Sequence, residues 1–550
     1  MKKLLPILFF VMMFTACSNQ GEYKTFINAN GYTFENDSLI TFTTMIVKDG
    51  KIRHVGGDDL AEMHPDEHLI DLEGKTVLPG LIDAHGHVMG LGFQELQVNL
   101  AGIETLEATL DTIKNYAEAN PDLEWIQGRG WNQTLWPENE FPTAADIDKV
   151  VDDRPVWLSR VDGHAGWGNT KAMEMASISK DTPDPRGGKI IRDGAGKATG
   201  VFVDAAESYI NEIVPDPTEV ENEMALEKAL EQMARMGITS AHDAGIGVNT
   251  WNLYKDFADQ GKMTTRIYAM IGGTGDTFDE LSKEGPVISY ADDLLSLRSV
   301  KISADGALGS RGAAMINSYS DDPGNHGLLF YEQDELNEMV LKTASNGFQT
   351  NIHAIGDKAN RVVLNAFEHV RDELLDQDLR HRVEHAQIVS LDDIPRFKEL
   401  NIIASMQPTH ATSDKNMAED RVGSERIKGG YAWQKYLDQG TVLASGSDFP
   451  VEHSNPLFGL YSAVTRMDHD GNPNGGWYPE ESLSREEALK SFTLSAAYAA
   501  HQEDVLGSLE KDKWADFIVI DQDFFEVPES EIFKIKVLQT WVAGEKVYGE

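Results

Sequence analysis

The sequence predicts an α/β protein built around a TIM-type (β/α)8 barrel, to which a small composite β domain and an inserted subdomain are added. Eight apolar strand patterns, most of them separated by helical patterns, predict the barrel. Short strand-and-turn patterns at both chain ends predict the β domain, and a region that breaks the alternation predicts the insertion. A doubly wound open sheet is the alternative, but no glycine-rich dinucleotide motif follows any of these strands.

The barrel is expected over residues 79–504. Each of its strand candidates ends on polar residues, and in chain order they are TVLPGLIDAHGH, GITSAHDAG, TRIYAMI, LRSVKISADG, FQTNIHAIGD, HRVEHAQ, NIIASMQPTH and TVLASGSDFP. The clearest helix is EVENEMALEKALEQMARMG, whose apolar residues three and four positions apart make one face before a glycine ends it. Strands that alternate with such helices are typical of a parallel barrel.

Residues 23–78 and 505–550 are expected to form one small β domain from both ends of the chain. In IVKDGKIRHVGG, alternating residues flank Asp49-Gly50, which is typical of a tight hairpin turn. The C-terminal segment has the same pattern around Ala543-Gly544. Two β-rich ends on either side of a different middle favour a single composite domain.

Residues 92–225 do not follow the barrel alternation. They contain the tryptophan-rich segments GRGWNQTLWP and PVWLSRVDGHAGW, and the Gly/Pro/Asp-rich segment TPDPRGGKIIRDGAGK. We expect this region to be an insertion between the first and second barrel units that lies over the mouth of the barrel.

Residues 1–17 are expected to be a lipoprotein signal peptide. Two lysines precede an apolar run over residues 4–14, which is too short to span a ~30 Å hydrocarbon core as a helix. The tetrapeptide FTAC resembles a bacterial lipobox and implies lipidation of Cys17, whereas an incidental cysteine in an ordinary cleaved signal is the alternative. The expected location is the bacterial cell envelope, lipid-anchored to a membrane and outside the cytoplasm.

The composition excludes several classes of function. A formal net charge of −42 argues against nucleic acid or an anionic membrane surface as a partner, because both bind basic surfaces. The acids are scattered along the chain, which favours a solvated surface suited to a salty habitat over a device for attracting cationic substrates. Cys17 is the only cysteine, so disulfides, thiolate metal sites and a cysteine nucleophile are excluded from the mature chain.

Two histidines end the first strand candidate. His85 and His87 are two residues apart, so on a strand both side chains point to one face and are placed to bind one metal ion. Taken by itself, this pattern is also found in histidines that are packed in a core. The active sites of such barrels lie at the carboxyl ends of the strands, where this pair is expected.

Later strand ends supply more polar residues. Lys301 lies among apolar residues in SVKISADG, where an unpaired ammonium is costly. Either it forms a salt bridge with Asp305 or an acid of another strand, or its neutral amine captures carbon dioxide as a carbamate that bridges two divalent cations. His353, His385 and Asp448 each end a later strand. Imidazole and carboxylate ligands suit zinc or a similar first-row ion, whereas calcium and magnesium prefer oxygen.

Taken together, these motifs resemble the amidohydrolase superfamily. The segments KISADGALGSRGA, HAIGD, RVEHAQ, SMQPTH and GSDFPV resemble more narrowly amidohydrolase family 3, the N-substituted formamide deformylase-like branch. The resemblance covers nearly the whole chain after the signal. Gly312 departs from the family pattern, which more often has a hydroxylated residue at this position.

The resemblance implies one or two divalent metals, with zinc as the expected ion. The implied ligands are His85, His87, Lys301, His353, His385 and Asp448. The first two histidines would bind the more buried metal, the carbamylated lysine would bridge, and the later two histidines would hold the second metal. Asp448 would also be the catalytic proton shuttle, which takes a proton from the attacking water and returns it to the leaving nitrogen.

Four residues are candidates for substrate binding: Trp131, Asp162, His164 and His410. His410 ends the seventh strand and would contact a carbonyl oxygen or leaving group, while the other three lie in the insertion. A packed core tryptophan, a hydrogen-bonded polar turn and an isolated histidine are the alternatives. Asp305 and Arg311 are expected either to orient the lysine strand or to touch substrate. The histidines expected to be structural or on the surface are His54, His64, His68, His381 and His501.

The predicted function is a metal-dependent amidohydrolase that cleaves a non-peptide carbon–nitrogen bond of a small organic molecule through metal-activated water. An esterase or lactonase, a deaminase of a cyclic substrate, and a surface lipoprotein that binds a ligand without turnover are the alternatives, because one barrel hosts many reactions. The expected partner is a small molecule, with no nucleic acid and with membrane contact only through the lipid anchor. An oligomer is compatible with the sequence.

Overall fold

The computed structural model describes residues 23–63, 68–374 and 378–549, and a barrel of parallel strands forms its centre. Each barrel strand pairs with the next in the predicted chain order, and the additional strand Val287–Tyr290 pairs antiparallel with the fourth. The barrel strands are Leu81–Gly86, Ile238–Ile246, Arg266–Gly272, Leu295–Ser303, Gln349–Ala354, Arg382–His385, Ile403–Met406 and Leu443–Ser445.

The eighth strand returns to the first, which closes the barrel. Asp448 N donates a hydrogen bond to His85 O at 2.7 Å. The buried Asp83 carboxylate of the first strand also accepts bonds from Ser447, at 3.0 Å from the backbone N and 2.6 Å from Oγ. All eight predicted strands are present in one nearly closed parallel sheet, so the predicted TIM-type barrel is confirmed and the open-sheet alternative is wrong.

Helices pack around the barrel, and Glu219–Arg235 shows how the sequence sets them. Thr218 begins it in a capping box with Glu221, which satisfies free N–H groups of the first turn. Its predicted apolar face is buried against the barrel strands. The helices are Val88–Leu96, Leu106–Ala119, Ala144–Asp148, Thr170–Met175, Ser208–Asn211, Glu219–Arg235, Val248–Asp259, Asp276–Leu281, Gln333–Ser345, Asp357–Glu373, Ile394–Glu399, Pro408–Asp414, Ala418–Arg426, Trp433–Asp438, Pro456–Thr465, Arg485–Ser491 and Leu494–Ala499.

Two sheets beside the barrel contain the strands from the chain ends. In a six-stranded sheet, Thr76–Pro79 pairs antiparallel with Phe517–Ile520, so N-terminal and C-terminal segments share one sheet. Its other strands are Asn30–Glu35, Ser38–Phe42, Val537–Val542 and Glu545–Tyr548. A four-stranded sheet contains Tyr23–Ile27, Thr44–Lys48, Lys51–Gly56 and His68–Asp71.

Both hairpin turns that the sequence predicts have left-handed backbone at their two central residues. The φ angles are 54° and 74° at Asp49 and Gly50, and 50° and 68° at Ala543 and Gly544. Positive φ at both central positions is the geometry of a type I′ turn, whose twist matches that of the strands it joins.

A third sheet occupies the expected insertion, and its strands are Val98–Asn99, Ile126–Trp131, Val156–Arg160, Ala165–Gly168, Gly188–Arg192 and Ala198–Asp204. The expected boundary at residue 225 falls inside the helix Glu219–Arg235, which packs on the barrel. Gly92 approaches this helix so closely that a Cβ on it would lie 1.9 Å from Ala225 O. The helix thus belongs to the barrel, and the last strand of the inserted sheet ends at Asp204, before the helix begins at Glu219.

The expected signal peptide, residues 1–17, lies outside the described residues, as does His64. None of the helices in the described part of the chain is both long and apolar enough to span a bilayer. Lipidation at Cys17 therefore stays a prediction.

Candidate active site

His85 is fully buried at the end of the first barrel strand, where Glu384 fixes its orientation. Its Nδ1–H donates to Glu384 Oε2 at 2.6 Å, and Glu384 is itself fully buried on the sixth strand. This bond sets the tautomer and leaves Nε2 facing Lys301 and Asp448. Burial lowers the pKa of His85 to about 4, so the ring is in the neutral form that binds metal ions.

Lys301 brings its amine into the same site from the fourth strand. Its Nζ lies 3.2 Å from His85 Nε2. The acids that act on it are Glu384 and Asp448, but neither forms an ion pair with it in the described part of the chain. Asp305 instead accepts hydrogen bonds from three backbone amides of nearby loops. Burial lowers the pKa of Lys301, which favours the neutral amine.

His385 and Asp448 complete a buried cluster with His85. The ligand atoms of these three side chains all lie within 4.8 Å of one another. His385 donates Nδ1–H to Gln407 Oε1 at 2.8 Å, and burial holds its pKa well below the usual value. Burial raises the pKa of Asp448, but His87 and the neighbouring imidazoles outweigh it and hold that pKa well below the usual value. Neutral imidazoles beside an ionised carboxylate are the donor set that suits zinc.

Two features of the cluster support its use as a metal site. Asp448 Oδ1 is buried and makes no well-directed hydrogen bond among the described residues, and two candidate ligands lie beside it, with His87 Nε2 at 3.1 Å and His85 Nε2 at 3.6 Å. The backbone φ angles of His385 and Asp448 are 73° and 62°, which is a strained region for residues other than glycine. Such strain is found where surrounding structure holds a functional side chain in place.

His87 and His353 border the cluster on two sides. His87 Nε2 is 3.1 Å from Asp448 Oδ1, and its side chain is 37% exposed, so it lies on the solvent side. The ring centroid of His353 is 4.6 Å from that of His385, and its Nε2 is 3.4 Å from Asp305 Oδ1. All the ligand residues predicted from the sequence therefore meet at the carboxyl end of the barrel.

The inserted sheet places His164 against this cluster. Its ring centroid lies 5.0 Å from that of His353, and its Nδ1–H donates to Asp204 Oδ1 at 2.6 Å. Burial lowers the pKa of His164, but the Asp204 carboxylate outweighs it and raises that pKa to about 9. Asp162 accepts the backbone N–H of His164 at 3.1 Å and is held by Arg160. A cationic imidazole therefore faces the barrel residues from the insertion.

Two glycines after the fourth strand make room for the Asp204 carboxylate. A Cβ on Gly306 or Gly312 would lie 2.6 or 2.7 Å from Asp204 Oδ2. Gly312 is also where the sequence departs from the family pattern, and a hydroxylated side chain there would overlap Asp204 in this structure. Gly312 therefore leaves room for the Asp204 carboxylate, which accepts the Nδ1–H of His164.

His410 lies beside the cluster. It follows the seventh strand in the helix Pro408–Asp414. Its Nε2 is 3.8 Å from Asp448 Oδ2, and its ring centroid is 5.9 Å from that of His385.

The expectation that Trp131 walls the substrate pocket is wrong. Its side chain is fully buried in the hydrophobic cluster of the inserted sheet, where the ring packs against Trp136 and Trp167. Its Nε1–H donates to Leu158 O at 2.8 Å. The strand Ile126–Trp131 places this side chain in the core of the insertion.

The residues expected to play orienting or structural roles are accounted for by local contacts. Arg311 pairs with Asp321 at 2.9 Å. His381 accepts a hydrogen bond from Thr350 N at 2.9 Å and stacks on Phe367. His54 and His68 lie on β-domain strands, and His501 follows the last helix.

Sequence reasoning missed several polar residues that shape the site. Glu384 and Gln407 orient two of the predicted ligands, and Asp83 joins the first strand to the eighth. Arg129 of the insertion donates to Val161 O at 2.9 Å, and its charge interacts with that of Asp448. Two of these residues could have been found by their closeness in sequence to a predicted ligand. Glu384 directly precedes His385 in RVEHAQ, and Asp83 lies two residues before His85 in LIDAHGH.

Comparisons with known proteins agree with this geometry. The chain is 34% identical over 546 residues to Protein LONG AFTER FAR-RED 3 of Arabidopsis thaliana, covering 94% of this chain and 91% of that protein. It is 29% identical over 539 residues to N-substituted formamide deformylase of Arthrobacter pascens, covering 94% and 97%. A solved structure of an uncharacterized metal-dependent hydrolase from Pyrococcus horikoshii matches with a TM-score of 0.75 and 27% identity, over 92% of this chain and 99% of that one.

The family match covers the barrel, the insertion and the C-terminal part of the composite β domain. A model of the amidohydrolase family matches residues 68–548. That span includes every predicted ligand residue and the strands that carry them. The resemblance inferred from the motifs is confirmed, and the chain belongs to the amidohydrolase family.

Proposed function

We propose that this protein is a metal-dependent hydrolase that cleaves a non-peptide carbon–nitrogen bond, an amide, in a small organic molecule. The observation that carries the proposal is the buried cluster of His85, His385 and Asp448, whose ligand atoms lie within 4.8 Å of one another at the carboxyl end of the barrel. The similarity to a deformylase of N-substituted formamides supports an amide as the bond.

Zinc is the ion we propose for this site, in one or two copies. The residues that would hold it are His85, His87, Lys301, His353, His385 and Asp448. A bound zinc ion supplies a Lewis acid that polarises a carbonyl and lowers the pKa of a bound water towards ~7.

Lys301 is proposed to act as a carbamate. Its amine lies 3.2 Å from His85 Nε2, and burial lowers its pKa. A neutral amine attacks the carbon of carbon dioxide, forms an N–C bond and releases one proton, which leaves an anionic carboxylate-like group on the side chain. That anion would compensate the charge of the metal where no described carboxylate pairs with the lysine.

Asp448 is proposed as the proton shuttle. The neighbouring imidazoles hold its pKa well below the usual value, so the carboxylate is ionised and able to accept a proton from the attacking water. It would then return that proton to the leaving nitrogen. His164, Asp162 and His410 are proposed to contact the substrate around this centre.

The test is a screen of N-acyl and N-formyl compounds, cyclic amides, lactones and simple esters with zinc-loaded protein. We expect amide turnover, with kcat lowered about 10²- to 10⁴-fold in Asp448→Asn at unchanged fold. Turnover confined to esters, lactones or ring deamination would overturn the choice of bond. A zinc-loaded chain that binds these compounds without turning any over would overturn the enzyme proposal.

A further inference from the structure

His410 is held at one ring nitrogen and open at the other. It is buried, and its Nδ1 lies 3.1 Å from Gln387 Nε2. Its Nε2 is buried without a hydrogen-bond partner among the described residues, and Asp448 Oδ2 lies 3.8 Å away, beyond hydrogen-bond distance. His410 Nε2 is therefore free to donate or accept a hydrogen bond with a substrate bound in the site.

The orientation of the Gln387 amide is set by a carboxylate. Gln387 Nε2 lies 3.3 Å from Asp414 Oδ2, and Tyr431 OH donates to the same oxygen at 2.7 Å. Because a carboxylate only accepts hydrogen bonds, the NH₂ group and not the carbonyl of Gln387 must face it. Tyr431 N also donates to Gln387 O at 2.7 Å, which fixes the backbone of the glutamine.

The amide in turn sets the tautomer of His410. With its NH₂ group between Asp414 and the imidazole, Gln387 donates to His410 Nδ1, which must then carry no proton. The neutral ring therefore carries its proton on Nε2, the atom that faces Asp448.

We propose that Gln387 is a positioning residue that, with Asp414 and Tyr431, locks His410 as an Nε2–H donor for the reacting carbonyl oxygen of the substrate. The carbonyl oxygen gains negative charge in acyl transfer, and a donor held in place before reaction stabilises that charge. His410 cannot be the base in this arrangement, so proton transfer is left to Asp448. The assignment of the acceptor as a carbonyl oxygen rests on the proposed function, whereas the tautomer does not.

The tautomer is tested without any substrate. Zinc-loaded protein with ¹⁵N-labelled histidine is examined by NMR at neutral pH, and His410→Asn identifies the His410 signals. We expect a protonated-type shift at Nε2 and an unprotonated-type shift at Nδ1 in the wild type, with the two tautomers mixed in Gln387→Met. A wild-type His410 that is protonated at Nδ1, alone or together with Nε2, would overturn the proposal.

Kinetics test the consequence on a substrate found by the screen. We expect Gln387→Met to lower kcat about 10- to 100-fold, the loss typical of removing a partner that orients a site residue, with KM and zinc content little changed. The effects of Gln387→Met and His410→Asn should be non-additive, because the first acts through the second. Tyr431→Phe should cause a smaller loss of the same kind.

Gln349→Met is the matched control. Gln349 is also a buried barrel glutamine, but it begins the fifth strand and binds Tyr268 and the Ala499 carbonyl at the opposite end of the barrel. It should lose stability without a selective loss of kcat. Equal kinetic losses in the two variants, or additive losses in the double variant, would contradict the positioning role. If no compound is turned over, the proposed function fails and the NMR result still decides the tautomer.

Discussion

At the scale of single residues, the site depends on hydrogen bonds made behind the candidate ligands. Glu384 and Gln407 accept the Nδ1–H groups of His85 and His385, so the Nε2 atoms of both rings are turned inward and unprotonated. The candidate ligands at the strand ends could be predicted because each follows an apolar run. Their partners could not, because His85 and Glu384 are 299 residues apart and only the closed barrel brings them together.

Glu384→Gln should weaken metal binding while leaving the fold intact. The amide keeps an acceptor for His85 but loses the negative charge, so we expect zinc affinity to fall about 10- to 100-fold in a competition with a chelator. Glu481→Gln is the matched control, because Glu481 is a buried glutamate that accepts from Gln434 N, outside the site. Equal weakening in both variants would contradict an orienting role for Glu384.

Lys301→Ala should abolish turnover, because it removes the group proposed to carry the carbamate. Short carboxylic acids added with zinc should restore part of the activity by occupying the space of the lost anion. The measurement is turnover of the wild type and the variant with and without the acid. Unchanged turnover in Lys301→Ala would rule out the carbamate.

At the scale of elements, hydrophobic periodicity predicted whether a segment forms a helix or a strand, whereas tertiary packing determines where that element lies in the fold. The helix Glu219–Arg235 has the apolar face that its spacing predicts. Its first residues lie inside the expected insertion, yet the whole helix packs with the barrel, where Gly92 of the helix Val88–Leu96 contacts Ala225. The approach of His164 to His353 could not be predicted, since it depends on how the inserted sheet leans over the barrel mouth. Trp131 shows the same limit, because a tryptophan-rich motif does not say which core it fills.

His381, which lies just before the sixth strand and stacks on Phe367 of the helix Asp357–Glu373, should make the stability of the fold depend on pH. Burial lowers the pKa of His381 to about 4, below the ~6.5 of an unfolded chain. The folded state therefore disfavours protonation, and this contribution is present above pH ~6.5 and is lost as pH falls towards ~4.

His381→Gln keeps an acceptor for Thr350 N but does not titrate. When the pH is lowered from 7 to 5, the free energy of unfolding should fall in both proteins, but by about 1–2 kcal/mol less in the variant than in the wild type. The measurement is urea denaturation at the two pH values. His369→Gln, at an exposed position on the helix that His381 stacks against, is the control and should follow the wild type. Parallel pH profiles for all three proteins would contradict the assignment.

At the scale of the whole molecule, two of the three parts are interrupted in sequence. The composite β domain is built from both chain ends, and the insertion separates the first barrel strand from the second. The end strands share a sheet, so the β domain cannot form until both chain ends are present. Because both nucleic acid and an anionic membrane face bind basic surfaces, the net charge of −42 leads us to propose that the chain binds neither. Membrane attachment is therefore proposed to depend on a lipid at Cys17.

Cys17→Ser should release the protein from the membrane. In a bacterial host, we expect the full chain to incorporate labelled fatty acid and to enter the detergent phase on partitioning, whereas the variant stays in the aqueous phase. A variant that incorporates label and partitions like the wild type would contradict lipidation at Cys17. Enzyme activity should be the same in both, because the described part of the site lies in the barrel and the insertion.

The central claim is that the cluster of His85, His385 and Asp448 is a metal site on which hydrolysis depends. The most direct test is to strip the protein by mild chelation, return zinc stepwise, and measure bound zinc and amide turnover in the same samples. We predict that turnover rises in proportion to bound zinc up to one or two ions per chain. A chain that never holds stoichiometric metal, or that hydrolyses its substrate equally well without it, would contradict the claim.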